Sequence, residues 1–205
     1  MEYITINLET INEIEIEKSR FICYLKRVNN KEEAEEYIQK IKKLHYKATH
    51  NCSCFSLFDP SYQKCSDDGE PQGTAGVPML EAIKKANINN VVAVVTRYFG
   101  GIKLGAGGLI RAYSNAVSKA INEASLLRIK MYDHYEIEFD YSLINVLEKY
   151  FNQNNIKVIN KDYEINVKYL FYTDDINIKE TLNNLTLGKI SFTKEYKDYI
   201  EEKYN

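Results

Sequence analysis

No run of apolar residues in this chain approaches the roughly 20 needed to cross a bilayer. The opening segment, MEYITINLETINEIEIEK, is acidic and alternating where a signal peptide would be basic and then apolar. A cytoplasmic location with no membrane partner is the expectation that follows. Cysteine is sparse: Cys23, Cys52, Cys54 and Cys65 lie in the first third of the chain and none forms a CxxC pair. That spacing does not indicate structural zinc, and in the cytosol the thiols are expected to be reduced. Neither GxGxxG nor GxxxxGK[ST] occurs, so Rossmann and P-loop chemistry is not indicated. No Ser-His-Asp or Cys-His set has recognisable spacing, and no catalytic residue is assigned. Charge of one sign is not in excess either. The net charge of −2 excludes a chain-wide polyanion trap.

The composition, 44% hydrophobic and 27% charged, is that of a globular protein. A chain of 205 residues is long enough for one large domain or two small ones. Charge is distributed unevenly. Residues 91–130 carry Arg97, Lys103, Arg111, Lys119, Arg128 and Lys130 against Glu123 alone, whereas residues 131–205 carry nine lysines against fourteen acids. The basic segment points to a local anionic partner or to a solvated face.

Alternation predicts strands near 3–8 and 14–16, and 20–28 is a further strand candidate. Asn30 is placed to cap a helix over 31–44, with Ala34, Tyr37, Ile38, Ile41 and Leu44 on one face. A strand over 49–58 stops at Asp59-Pro60. A helix from about 77 to 86, an apolar strand over 91–96 and a helix from about 108 to 123 follow. Of the nine glycines only Gly188 lies outside 69–108. The tail reads strand, helix, strand, strand, helix, strand over 135–192, the βαββαβ order of a ferredoxin-like domain. The expected fold class is α+β, with domains at 1–130 and 131–205.

Two glycine-rich loops hold the candidate site. The first, Ser66-Asp67-Asp68-Gly69-Glu70-Pro71-Gln72-Gly73-Thr74-Ala75-Gly76, sets three acids close together. They fit a hard cation such as Mg2+, an arginine of the second loop held by Asp67, Asp68 or Glu70, or an exposed polar turn. Gly73 and Thr74 run into a helix start, where backbone N–H groups favour an anion. In the second loop, 96–113, Gly100, Gly101, Gly105, Gly107 and Gly108 predict an N–H nest, with Arg97, Lys103 and Arg111 around it. Arg111 is placed to hold a phosphate, and Tyr98, Phe99 and Tyr113 to stack on bases. Tight helix-on-sheet packing is the other account of these glycines. His50, Cys52 and Cys54 share a strand face; a buried face with one satisfied histidine is favoured there over zinc. His50 is a general base only if the fold brings a substrate to it.

SDDGEPQGTAGVPML (66–80) and VVTRYFGGIKLGAGGLIRAYSNA (94–116), preceded by KSRFICYL (18–25) and HYKATHNC (45–52), closely resemble the IMPACT/YigZ family. The resemblance implies a ribosomal protein S5 domain 2-like N-terminal domain. It also implies a tail similar to the C-terminal domain of elongation factor G. Family members are associated with translation; the eukaryotic ones restrain a stress kinase and carry an extra N-terminal RWD domain. With the motif region already begun at residue 18, no such domain, and so no kinase-restraint role, is expected here. The leading expectation is an RNA- or ribosome-binding regulator that needs no cofactor. The alternatives are an enzyme acting on a phosphorylated small molecule or nucleotide with Mg2+, and a protein-interaction module.

Overall fold

The computed structural model describes residues 2–58 and 61–204. The expected strand stop at Asp59-Pro60 lies outside them. The elements run β1 (Glu2–Ile6), β2 (Thr10–Ile16), β3 (Ser19–Arg27), α1 (Lys31–Leu44), β4 (His50–Leu57), β5 (Tyr62–Ser66), α2 (Gly76–Lys85), β6 (Val91–Tyr98) and α3 (Gly105–Glu123). Then come β7 (Leu126–Phe139), α4 (Ile144–Gln153), β8 (Lys157–Tyr163), β9 (Val167–Thr173), α5 (Ile178–Leu185) and β10 (Ile190–Lys203). The chain is a mixed α and β protein whose registered strand pairs are antiparallel. Two compact units are present, one of Glu2–Ile129 with Glu201 onward, the other of Lys130–Ile200. The border falls inside β7, not in a linker.

In the first unit the strand order is β2-β3-β6-β4-β5. Because side chains alternate along a strand, β6 divides its residues between two cores. Val91, Ala93 and Val95 join Phe21, Cys52 and Cys54 against α2 and α3. Val92 and Val94 join Tyr24 and Phe55 against α1. Burial on both faces is why β6 reads as an unbroken apolar run. Helix α1 starts at Asn30, whose side-chain oxygen accepts the Glu33 N–H at 2.8 Å, while Glu33 reaches back to the Asn29 N–H at 2.9 Å. Its buried stripe is Ala34, Tyr37 and Ile41.

In the second unit β9 pairs with both β7 and β8, and β10 pairs with β7. Tyr135, Ile137 and Phe139 of β7, with Val167, Tyr169 and Phe171 of β9, form a core with Leu147, Phe151 and Leu182 of the two helices. Among the described residues no helix is long and apolar enough to cross a membrane.

Candidate functional site

The loop after β5 is organised by its own carboxylates. Asp67 accepts the Gly73 N–H on one oxygen at 2.8 Å, and those of Ala75 and Gly76 on the other at 3.1 and 2.8 Å. An internal anion therefore occupies the start of α2, and the expectation that Gly73 and Thr74 offer N–H groups to a ligand is corrected. A Cβ on Gly76 would meet the Ser66 backbone nitrogen at 2.8 Å, so the loop closes on itself there. Asp68, at φ 45°, takes the Lys42 ammonium at 2.5 Å and the Asn51 N–H at 2.7 Å.

Glu70 is 8% exposed and holds two groups on one oxygen, the Arg97 guanidinium at 2.6 Å and the Tyr113 hydroxyl at 2.8 Å. His50 lies beside them. Its Nδ1 is 2.9 Å from the Asp68 carbonyl, which only accepts, so Nδ1 carries the proton and Nε2 faces the free oxygen of Glu70 at 3.8 Å. Burial pushes the Tyr113 hydroxyl far above its ordinary range. All three acids of the loop accept protein donors, and among the described residues no group of three His, Cys, Asp or Glu is placed to hold a metal.

Arg97 is 5% exposed, with its Cζ 5.3 Å from the Phe21 ring centroid and 5.5 Å from that of Phe99. It is locked inward and does not meet Lys103 and Arg111 on one guest, as the sequence led us to expect. Strand alternation turns Tyr98 to the opposite sheet face, where its hydroxyl is 2.9 Å from His45 Nδ1 and Arg20 covers its ring. Tyr113 is fully buried. Of the three aromatics read as stacking groups, Phe99 is the one left open, at 47% exposure.

The second loop also differs from expectation. Helix α3 begins at Gly105, so Gly107 and Gly108 are helical, and between 96 and 113 positive φ is confined to Gly101 and Gly105. The five glycines do not form one nest. Both α2 and α3 start with no side-chain cap at the N-cap residue and no acid in the first turn, but at α2 the remote Asp67 carboxylate takes the Ala75 and Gly76 N–H groups. Among the described residues no carboxylate accepts a hydrogen bond from the N-terminal N–H groups of α3, which carry the partial positive charge of the helix start. Lys103 and Arg111 are exposed and line an open concavity of about 900 Å3 with Ile16, Glu17, Ser114 and Ser118. Among the described residues neither cation makes an ion pair. Arg111 folds back along the helix, one guanidinium nitrogen lying 3.6 Å from where a Gly107 Cβ would sit.

Sequence reasoning missed Lys42, Asn51 and Tyr113 as partners of the acidic loop. The burial of Tyr113 was available from its place on the helical stripe with Leu109, Ala112, Ala116 and Ala120; its hydrogen bond was not.

Asp67 carries a pH prediction. Burial alone would raise its carboxyl, but the N–H donors of Gly73, Gly76 and Ala75 outweigh burial and hold it below the ordinary aspartate range. Stability from this group is present above the unfolded-state pKa of about 3.9 and is lost as pH falls through the lower folded value. Asp67→Asn is expected to cost about 1 to 2 kcal/mol at pH 7. In urea melts from pH 7 to pH 3, the gap from wild type should close only below about pH 4. A constant gap would show that charge plays no part.

The profile of the Impact N-terminal domain matches residues 17–121. IMPACT family member YvyE of Bacillus subtilis (strain 168) is 43% identical over 207 residues, 99% of this chain and 95% of the relative. The chain belongs to the IMPACT family. IMPACT family member YigZ of Escherichia coli (strain K12) is 36% identical over 153 residues, 73% of this chain and 75% of the relative. A crystal structure of a hypothetical protein shares 30% identity at a TM-score of 0.62, over 93% of this chain and 96% of that one. The family match spans β3 and nearly all of α3, and so includes both loops and every residue of the site described above except Ile16.

Proposed function

We propose that this IMPACT family protein regulates translation by binding the phosphate backbone of RNA, free or ribosomal, at the start of α3. The observation that carries this is the pairing of two unneutralised cations, Lys103 and Arg111, in one open concavity beside a helix N-terminus that lacks a cap. Ser114 and Ser118, one turn apart on α3, add hydroxyl donors along the same wall. Phe99 is the group we assign to base stacking. Support for the translation role comes from the family, whose members are associated with it. Asp67, Asp68 and Glu70 are already engaged, so we assign no Mg2+, cofactor or catalytic step to the loop. The protein would act in the cytoplasm. We also assign the first unit to the S5 domain 2-like type and the second to the ferredoxin-like, elongation factor G C-terminal-like type, on strand and element order.

The test is fluorescence anisotropy with a labelled single-stranded RNA at several salt concentrations. Wild type should weaken steeply as salt rises. Lys103→Ala/Arg111→Ala should bind about tenfold or more weakly at low salt, with a log–log salt slope shallower by about 1.4, two contacts at 0.7 each. Equal binding by the two proteins, or salt-insensitive binding by wild type, overturns the proposal.

A further inference from the structure

Cys54 and Cys65, eleven positions apart in sequence, face each other directly across the β4–β5 hairpin. The backbone also fixes what kind of pair they make. The Asn51 N–H is directed to Asp68, on the β5 side of β4, and the Phe58 N–H to Asn90, on the β6 side. Successive residues of a strand point their N–H groups to opposite neighbours, so even-numbered residues of β4 bond toward β6. Cys54 with Cys65 is therefore a non-hydrogen-bonded pair, the closer type, with Cα atoms about 4.5 Å apart. That separation falls within the roughly 4.4–6.8 Å window a disulfide spans. Cross-strand partners also present their side chains on the same sheet face.

The two thiols differ in environment. Cys65 is exposed on the edge strand, whereas Cys54 is 1% exposed in the core. Burial pushes Cys23 and Cys52 up to about 12 and Cys54 well above the ordinary thiol range. An oxidant in solution meets Cys65 first.

We propose that Cys54 and Cys65 form a reversible oxidation site in which peroxide converts the dithiol to a cross-strand disulfide. The Cys65 thiol gives up its proton and the thiolate attacks one peroxide oxygen, breaking the O–O bond; the sulfur becomes a sulfenic acid, and the departing hydroxide takes up that proton and leaves as one water. The Cys54 sulfur then attacks the sulfenic sulfur, its thiol proton leaves with the hydroxyl as a second water, and the S–S bond closes. Two thiols and one hydrogen peroxide give one disulfide and two waters. The raised Cys54 thiol makes the second step the slower one. β5 runs through Ser66 directly into the loop that holds Glu70, so the bond ties that loop's entry to β4.

The full chain is treated with hydrogen peroxide and mapped by non-reducing peptide mass spectrometry. The expected product is a Cys54–Cys65 linked peptide that disappears on reduction with dithiothreitol. Cys65→Ser should consume peroxide about tenfold more slowly, because the remaining thiols are buried. Cys54→Ala should leave a Cys65 sulfenic acid that dimedone traps. If that variant does not fold, the wild-type map decides alone. Cys65 oxidised to sulfinic acid with Cys54 still free, a Cys65–Cys65 link between chains, or Cys54 joined to Cys23 would each overturn the proposal.

Discussion

Replacing Arg97 with alanine is expected to lower the unfolding free energy by about 3 to 5 kcal/mol, more than any surface charge change in this chain. The reason is what remains behind. Glu70 is 8% exposed, and without the guanidinium its negative charge would be left with the Tyr113 hydroxyl and a His50 nitrogen 3.8 Å away. A buried carboxylate that loses its counter-charge must either protonate or admit water. Glu70→Gln strands the opposite charge, and the Arg97 Nε is already buried with no hydrogen-bond partner. Urea unfolding at pH 7 measures both variants. The expected signature is a lower midpoint at unchanged slope. The double replacement Arg97→Met/Glu70→Leu should be less damaging than either single change, since no charge is left unpaired. A cost for Arg97→Ala below about 1 kcal/mol would place the pair with solvent-screened surface bridges and contradict its buried position.

Gly100→Ala carries the second large effect. A Cβ at this position would lie 2.0 Å from the Lys18 carbonyl carbon, 2.1 Å from its oxygen and 2.5 Å from the Ser19 nitrogen. All three are backbone atoms and cannot rotate away. The β2–β3 turn they belong to already holds Glu17 at φ 47° and Lys18 at φ 60°, which leaves little room to yield. The expected loss is about 3 kcal/mol or more, the upper range for overpacking. It includes the hydrogen bond from the Gly100 N–H to Ser19 Oγ. Gly101→Ala is the internal control. Nothing lies within 4 Å of its Cβ position, and the cost there is confined to φ 90°, about 1 kcal/mol. Thermal melts of the two variants side by side separate close approach from backbone strain; equal shifts would refute the packing argument.

How much of this was legible depended on whether neighbours in sequence or neighbours in space set the outcome. Helix α1 was readable because its cap, Asn30, and its stripe of Ala34, Tyr37 and Ile41 are local. β6 was readable because burial on both faces leaves an apolar run. β5 was not: YQKCS is an edge strand exposed throughout, with no apolar alternation to announce it. β10 reads as ending near 192 but continues to Lys203, since TKEYKDYIEEK carries charges on either face. The first turn of α3 read as loop because four residues, GAGG, include three glycines of low helix propensity. At the site, composition located both loops. It did not decide whether Asp67, Asp68 and Glu70 face a cation, an arginine or water. Glu70 and Arg97 are 27 positions apart, and only the folded sheet brings them together.

Glu201 near the end of β10 and Tyr204 just after it have a consequence for how this protein is divided. Glu201 pairs with Arg27 at 2.7 Å and the Tyr204 N–H donates to the Leu126 carbonyl, so the first unit is discontinuous in sequence. A stop codon introduced after the family-matched region would not release an intact module. It would take away the counter-charge of a partly buried arginine along with the tail. Experiments that ask what the first unit does by itself should therefore delete the intervening insert and rejoin its flanks, not shorten the gene from its end.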